Sequence, residues 1–164
     1  MRENEQISFS ATAMANEFCE ILLTDKPLQT SARADFKPDA GAVVEFFGVV
    51  RGVEDGEKID GIFYEAHREM ARHQLEKIAQ AAREKFVCAE IVLHHRVGFV
   101  PIAEPSLFLR VSAKHRGAAL AACAWIIDEL KTLAPIWKHP RFSKHAEIFQ
   151  NENETASTAA PQKQ

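Results

Sequence analysis

The sequence predicts an α+β fold with mainly antiparallel strand pairing. Two long stretches, His67–Phe86 and Ser112 to about Leu133, carry apolar residues at helical spacing. Short β-branched or alternating runs lie before, between and beside them in hairpin-like order. There is no regular strand–helix alternation and no Gly-rich nucleotide fingerprint, so a doubly wound parallel sheet is disfavoured. With 164 residues, 46% of them hydrophobic, the chain has enough material for one domain with a substantial core. Residues 1–16 show no clean period and read as a poorly defined extension. Residues 17–149 read as the folded domain, and the polar segment 150–164 as a disordered tail.

Taken in order, Phe18–Leu23 is a short apolar run closed by Thr24-Asp25-Lys26-Pro27, which predicts a strand. Leu28–Phe36 has room for a short helix, and Pro38-Asp39-Ala40-Gly41 is a turn. AVVEFFGVVRG, residues 42–52, is strand-like, with Gly48 inside it marking a bulge or a close approach. Residues 53–58 read as a loop turning at Asp55-Gly56. Ile59–Ala66 reads as a strand antiparallel to the one before it.

The helix over His67–Phe86 has Ala71, Leu75, Ile78 and Ala82 as its apolar stripe. A strand follows over Val87–Val97. Ile91, Leu93, His95 and Val97 share one of its faces, and Val92, His94 and Arg96 share the other. Gly98–Pro105 reads as a turn region. Leu107, Leu109, Val111 and Ala113 alternate along a last long strand. The second helix takes Leu120, Cys123, Ile127 and Leu130 as its buried face and ends before Pro135. Beyond Lys138 the chain turns polar.

Composition excludes several classes. A net charge of −3 leaves no general basic footprint for nucleic acid. No apolar run approaches the roughly 18 residues of a membrane span. The first residues lack the apolar centre of a signal peptide, so a cytoplasmic protein is expected. Three widely spaced cysteines read as reduced core thiols rather than a disulfide framework. His94 and His95 point to opposite faces of one strand, so they do not make a metal pair. No metal and no cofactor are expected. No Ser–His–Asp pattern appears.

What remains is a scattered basic set at the ends of elements: Arg51, His115, Arg116, Lys131 and Lys138. Lys114, His115 and Arg116 crowd a helix N-terminus, which normally disfavours cations. An anion faced by all of them is one cause. Three solvated side chains are the other. Lys131, in the last helical turn, has an ordinary explanation in the helix dipole.

Here the residues carry a resemblance. GAVVEFFGVVRG (41–52), YEAHREMA (64–71), HHRVG (94–98), VSAKHR (111–116) and DELKTLAPIWK (128–138) occur in the order typical of the large, catalytic subunit of molybdopterin synthase. The chain resembles that family from about Cys19 to Lys138. The resemblance implies an α/β hammerhead fold and a homodimer. It implies that a small ubiquitin-like sulfur-carrier subunit docks at each end of a heterotetramer. The carrier's C-terminal Gly-Gly thiocarboxylate then delivers sulfur to cyclic pyranopterin monophosphate, forming the molybdopterin dithiolene. It also implies the site residues. Lys131 and Lys138 are the catalytic pair. Val49, Val50, Arg51, His115, Arg116 and His139 line the substrate site with them, His115 and Arg116 reaching across the dimer.

The chemistry is consistent with that reading. A phosphate ester and a thiocarboxylate are both anions. Arginines grip oxygens in a fork, and a desolvated lysine serves as base, nucleophile or compact charge. Two departures stand out. After the second lysine the family continues with a basic residue and a glutamate, whereas this chain reads His139, Pro140, Arg141, so the acidic partner of Lys138 is missing or comes from elsewhere. Between Gly98 and Ser106 the family's usual Gly-Glu reads Ala103-Glu104, with Glu104 kept as a turn residue. The altered residues after Lys138 alone motivate a second reading, a non-catalytic relative that binds the sulfur carrier or a pterin phosphate, and the retention of both lysines argues against it.

Overall fold

The computed structural model describes residues 19–28 and 36–143. The expected extension, the short helix between Leu28 and Phe36 and the tail lie wholly or mostly outside them. Ten elements are described: β1 (Cys19–Thr24), β2 (Ala42–Val49), β3 (Val53–Glu54), β4 (Glu57–Ala66), α1 (Arg68–Phe86), β5 (Cys88–Arg96), β6 (Gly98–Pro101), β7 (Pro105–Ala113), α2 (Arg116–Leu133) and β8 (Ile136–Phe142).

The larger sheet has the order β1-β5-β7-β2. Only β1 and β5 run parallel; the other pairs are antiparallel. Both helices contribute to its core. Leu75, Ile78, Ala79 and Ala82 of α1 and Ala122, Cys123, Ile126 and Leu130 of α2 pack with Ile91, Leu93, Leu107, Leu109 and Val111. The α1 stripe is the one the spacing predicts. His67 caps that helix, its Nδ1 accepting from the Met70 amide at 3.4 Å. Val87, expected to begin the next strand, instead closes α1 in the left-handed region at φ 55°.

The α2 stripe differs from expectation. Its buried residues are Ala119, Ala122, Cys123, Ile126 and Leu130, while Leu120 is 56% exposed and Ile127 only partly buried. Two of the five are the small Ala119 and Ala122, and the larger Leu120 is turned outward. All three cysteines are free. Cys88 and Cys123 are buried, and burial pushes the Cys88 thiol up to about 11.

The smaller sheet is built on β4, with β3 and β6 along one edge and β8 along the other. Its core is Val50, Ile59, Ile62 and Val100, with Tyr64 against it. Four expectations change here. β4 does not pair with β2, whose partner is β7. Residues 53–58 are no loop: Asp55 and Gly56, both at positive φ, make a two-residue hairpin turn that pairs β3 with the start of β4. The Gly98–Pro105 region contains strand β6. The polar residues after Lys138 form β8, an outer strand on which charge and proline are well tolerated.

Gly48 does mark a bulge, since the β2–β7 register shifts between Gly48 and Val49. A Cβ on Gly48 would lie 3.1 Å from that of Leu107. Gly41, at the head of β2, is more tightly constrained: a Cβ there would meet the Lys114 carbonyl oxygen at 2.4 Å. Among the described residues no helix is long and apolar enough to cross a membrane.

Candidate functional site

The site grows from the point where β2 leaves the larger sheet. Val49 is exposed, and Val50 is buried in the smaller core. The Val50 amide donates to the Glu104 carbonyl at 3.0 Å, and its own carbonyl accepts from Ala103 at 2.8 Å. Glu104 also binds the buried Arg96 through its carboxylate, so it is a structural turn residue. This pins the backbone next to Arg51, whose side chain is 79% exposed.

Arg51 does not stand alone. Its guanidinium lies 3.4 Å from Glu54 Oε2. The other oxygen, Oε1, accepts from Lys138 Nζ. Glu54 is only 8% exposed, while both cations reach solvent. The Lys138 hydrogen bond holds the Glu54 carboxyl below the usual carboxylate range, with smaller contributions from the Lys138 and Arg51 charges, against the upward pull of burial. The acid that the sequence after Lys138 lacks is therefore supplied by the β3 hairpin.

That meeting requires a bend. Glu54 pairs with Glu57, and Lys138 pairs with Tyr64. On a straight β4 those two positions lie about 23 Å apart, beyond the reach of the two side chains. β4 therefore curls between them, and the register with β8 shifts between Ile59 and Gly61. Lys138 and Pro140 share the face of β8 opposite Tyr64 and Ile62. His139 points the other way, with Nε2 3.1 Å from Glu65 Oε2. Within one chain His139 is thus separated from the Lys138 cluster.

Lys131 sits in the last turn of α2, exposed and without an ion pair among the described residues. The link from α2 to β8 is fixed: the Ile136 amide donates to the Ala134 carbonyl at 2.7 Å, and the His67 amide donates to the Pro135 carbonyl at 3.3 Å. Lys131 and Lys138 therefore flank one anchored corner.

His115 and Arg116 stand at the far end of α2. His115 is its N-cap but makes no side-chain capping bond, and no acidic residue sits in the first turn. Fifteen residues of helix put Arg116 about 22 Å from Lys131. One chain does not bring the two ends together. An open cleft of about 370 Å³ between Ile21–Leu23 and Arg68, Glu69 and Arg72 contains none of the expected site residues.

Sequence reasoning missed Glu54. The available signal was the Asp55-Gly56 pair, which marks a two-residue hairpin and so puts Glu54 on a paired strand rather than in a loop.

Comparison with known proteins bears on this arrangement. The family model described as MoaE protein matches residues 23–133. A molybdopterin synthase catalytic subunit from Thermoplasma volcanium is 40% identical over 126 residues, covering 76% of this chain and 91% of the relative. The human protein of that name is 40% identical over 101 residues, 62% of this chain and 54% of the relative. Among solved structures, molybdopterin synthase from Staphylococcus aureus superposes with a TM-score of 0.68 at 32% identity, covering 76% of this chain and 90% of that one. MoaE protein from Burkholderia ambifaria superposes with a TM-score of 0.66 at 26% identity, covering 83% and 99%. Matched along most of its length in both sequence and fold, this chain belongs to the MoaE protein family.

Proposed function

We propose that this chain is the catalytic subunit of a molybdopterin synthase, a sulfurtransferase of molybdenum cofactor biosynthesis acting in the cytoplasm. It takes sulfur from the thiocarboxylated C-terminus of a small carrier subunit and places it on cyclic pyranopterin monophosphate, making the dithiolene. It works as a homodimer within a heterotetramer. The observation that carries this reading is the Arg51–Glu54–Lys138 cluster, set beside the corner that bears Lys131, in a member of this family.

In this reading Lys131 receives the carrier's thiocarboxylate next to the terminal glycine. Lys138 meets negative charge developing on the pterin side or assists opening of the cyclic phosphate. Arg51 grips phosphate oxygens from the same side. Val49 and Val50 shape the wall beneath Arg51. His115 and Arg116 complete the anion site from the partner subunit, because their own chain holds them a helix length away. His139 is a rim contact at most, since it faces away from Lys138.

The test is a reconstitution with thiocarboxylated carrier and cyclic pyranopterin monophosphate, assayed for molybdopterin. The wild type makes product; Lys131→Ala and Lys138→Ala, still folded, make none. A folded, carrier-binding wild type that yields no product sinks the catalytic reading and leaves the non-catalytic relative. A Lys131→Ala variant with near-full turnover sinks the role given to that lysine.

A further inference from the structure

We propose that Glu54 is a positioning residue of this site, the fixed carboxylate that sets where Lys138 and Arg51 present their charges; the role in turnover rests on the functional reading above. The geometry makes the case. One carboxylate divides its two oxygens between two cations that come from different places, Arg51 from the exit of β2 and Lys138 from β8. The carboxylate is buried, and the side chains it holds are 79% and 58% exposed. An exposed lysine or arginine otherwise samples many rotamers, and holding one of them has an entropic cost. A buried acceptor with both oxygens engaged removes that freedom at the two atoms that would face the substrate.

The backbone around Glu54 is built for this. The Asp55-Gly56 turn places Glu54 in a paired strand. The Ile59 amide donates to the Gly52 carbonyl at 3.1 Å, and the Ser143 amide to the Lys58 carbonyl at 3.1 Å, so the hairpin is tied to β8 on its far side. The curl of β4 then carries Glu54 to the face from which Lys138 projects. Pro140 is on that same face of β8, two residues from Lys138, about 7 Å along the strand. A carboxylate moved to position 140 would lie beside Lys138 without using the hairpin.

The experiment uses the full chain assembled with thiocarboxylated carrier and cyclic pyranopterin monophosphate. Glu54→Gln keeps the shape and removes the charge. Its kcat is expected to fall about 10- to 100-fold, the scale of a small misplacement of a reacting group. In parallel, Lys138 of the full chain is labelled with 2,4,6-trinitrobenzenesulfonate and followed by mass spectrometry. Released from its carboxylate, it reacts roughly two- to fivefold faster. Glu54→Gln/Pro140→Glu is expected to recover most of the lost kcat and slow the labelling again.

Wild-type kcat in Glu54→Gln overturns the positioning role whatever the labelling shows. So does a loss of kcat that Pro140→Glu leaves in place, because the carboxylate would then act only through the fold. If the wild-type assembly makes no product, the functional reading is what fails, and labelling alone judges Glu54. Faster labelling in Glu54→Gln upholds it as the holder of Lys138, and an unchanged rate overturns it.

Discussion

Lys138 and Glu54 lie 84 residues apart in the chain and share a hydrogen-bonded ion pair in the fold. The pair crosses β4 without belonging to any strand ladder, and a third group, Arg51, closes on the same carboxylate. Two cations that would otherwise repel one another are thereby held on the same carboxylate.

This arrangement carries an acid signature. The Glu54 carboxyl titrates below its ordinary value of 4.5 in the folded chain, because Lys138 and Arg51 favour its charged form. A depressed folded value contributes stability that is present above 4.5 and lost as pH falls through the folded value. Chemical denaturation at stepped pH should show Glu54→Gln flattening the loss of stability below pH 4.5 relative to wild type.

The two ends of α2 make a prediction about the dimer. In the proposed function Lys138→Ala and Arg116→Ala each disable every site when they form homodimers. If Arg116 serves the partner's site, a mixed dimer of the two variants has one intact site and one doubly damaged site. Random mixing should then restore about a quarter of wild-type activity from two nearly inactive proteins. Activity that stays at the level of the separate variants assigns Arg116 to its own chain's site.

His95 is buried, and its ring meets that of Tyr64 edge to face at a centroid distance of 5.3 Å. Its Nδ1–H donates to the Arg96 carbonyl at 2.8 Å. Burial holds it below its ordinary 6.5, so it stays neutral where an unfolded histidine gains a proton. Below pH 6.5 the unfolded state binds more protons, and stability falls with pH down to the folded value. His95→Gln should shrink that slope in thermal melts between pH 7 and 5, whatever its effect on stability at neutral pH.

Val87 closes α1 in the left-handed region, where a β-branched residue is strained, and its side chain is 80% exposed. Replacing it with glycine removes the Cβ clash and loses little packing. Val87→Gly should stabilise the chain by about 1 kcal/mol, read as a higher denaturation midpoint with activity unchanged.

Local features were the legible ones. The α1 stripe, the β5 faces, the bulge at Gly48 and the stop before Pro135 depend on neighbours a few residues apart, and the sequence carries those patterns openly. Pairings across the chain were not. β8 combines proline with three charged or polar positions, Lys138, His139 and Arg141, a composition that reads as loop until β4 is seen lying beside it. Leu120 looked like core because it is large and correctly spaced, yet its neighbours Ala119 and Ala122 lie on the side of α2 that is buried. The site divides the same way: each cation was visible as a residue type at the end of an element, but the shared acid needed a hairpin and a curled strand to reach them.

The length of α2 has a consequence for how such proteins can vary. In the proposed function α2 bears anion-binding groups at one end and a reactive lysine at the other, and so works as a ruler between two half-sites. Adding or removing one residue would shift the far end by about 1.5 Å and rotate it by about 100°. In a symmetric dimer the error would appear at both sites at once. Insertions and deletions should therefore be far rarer inside α2 than in the Asp55-Gly56 turn or the 102–104 turn.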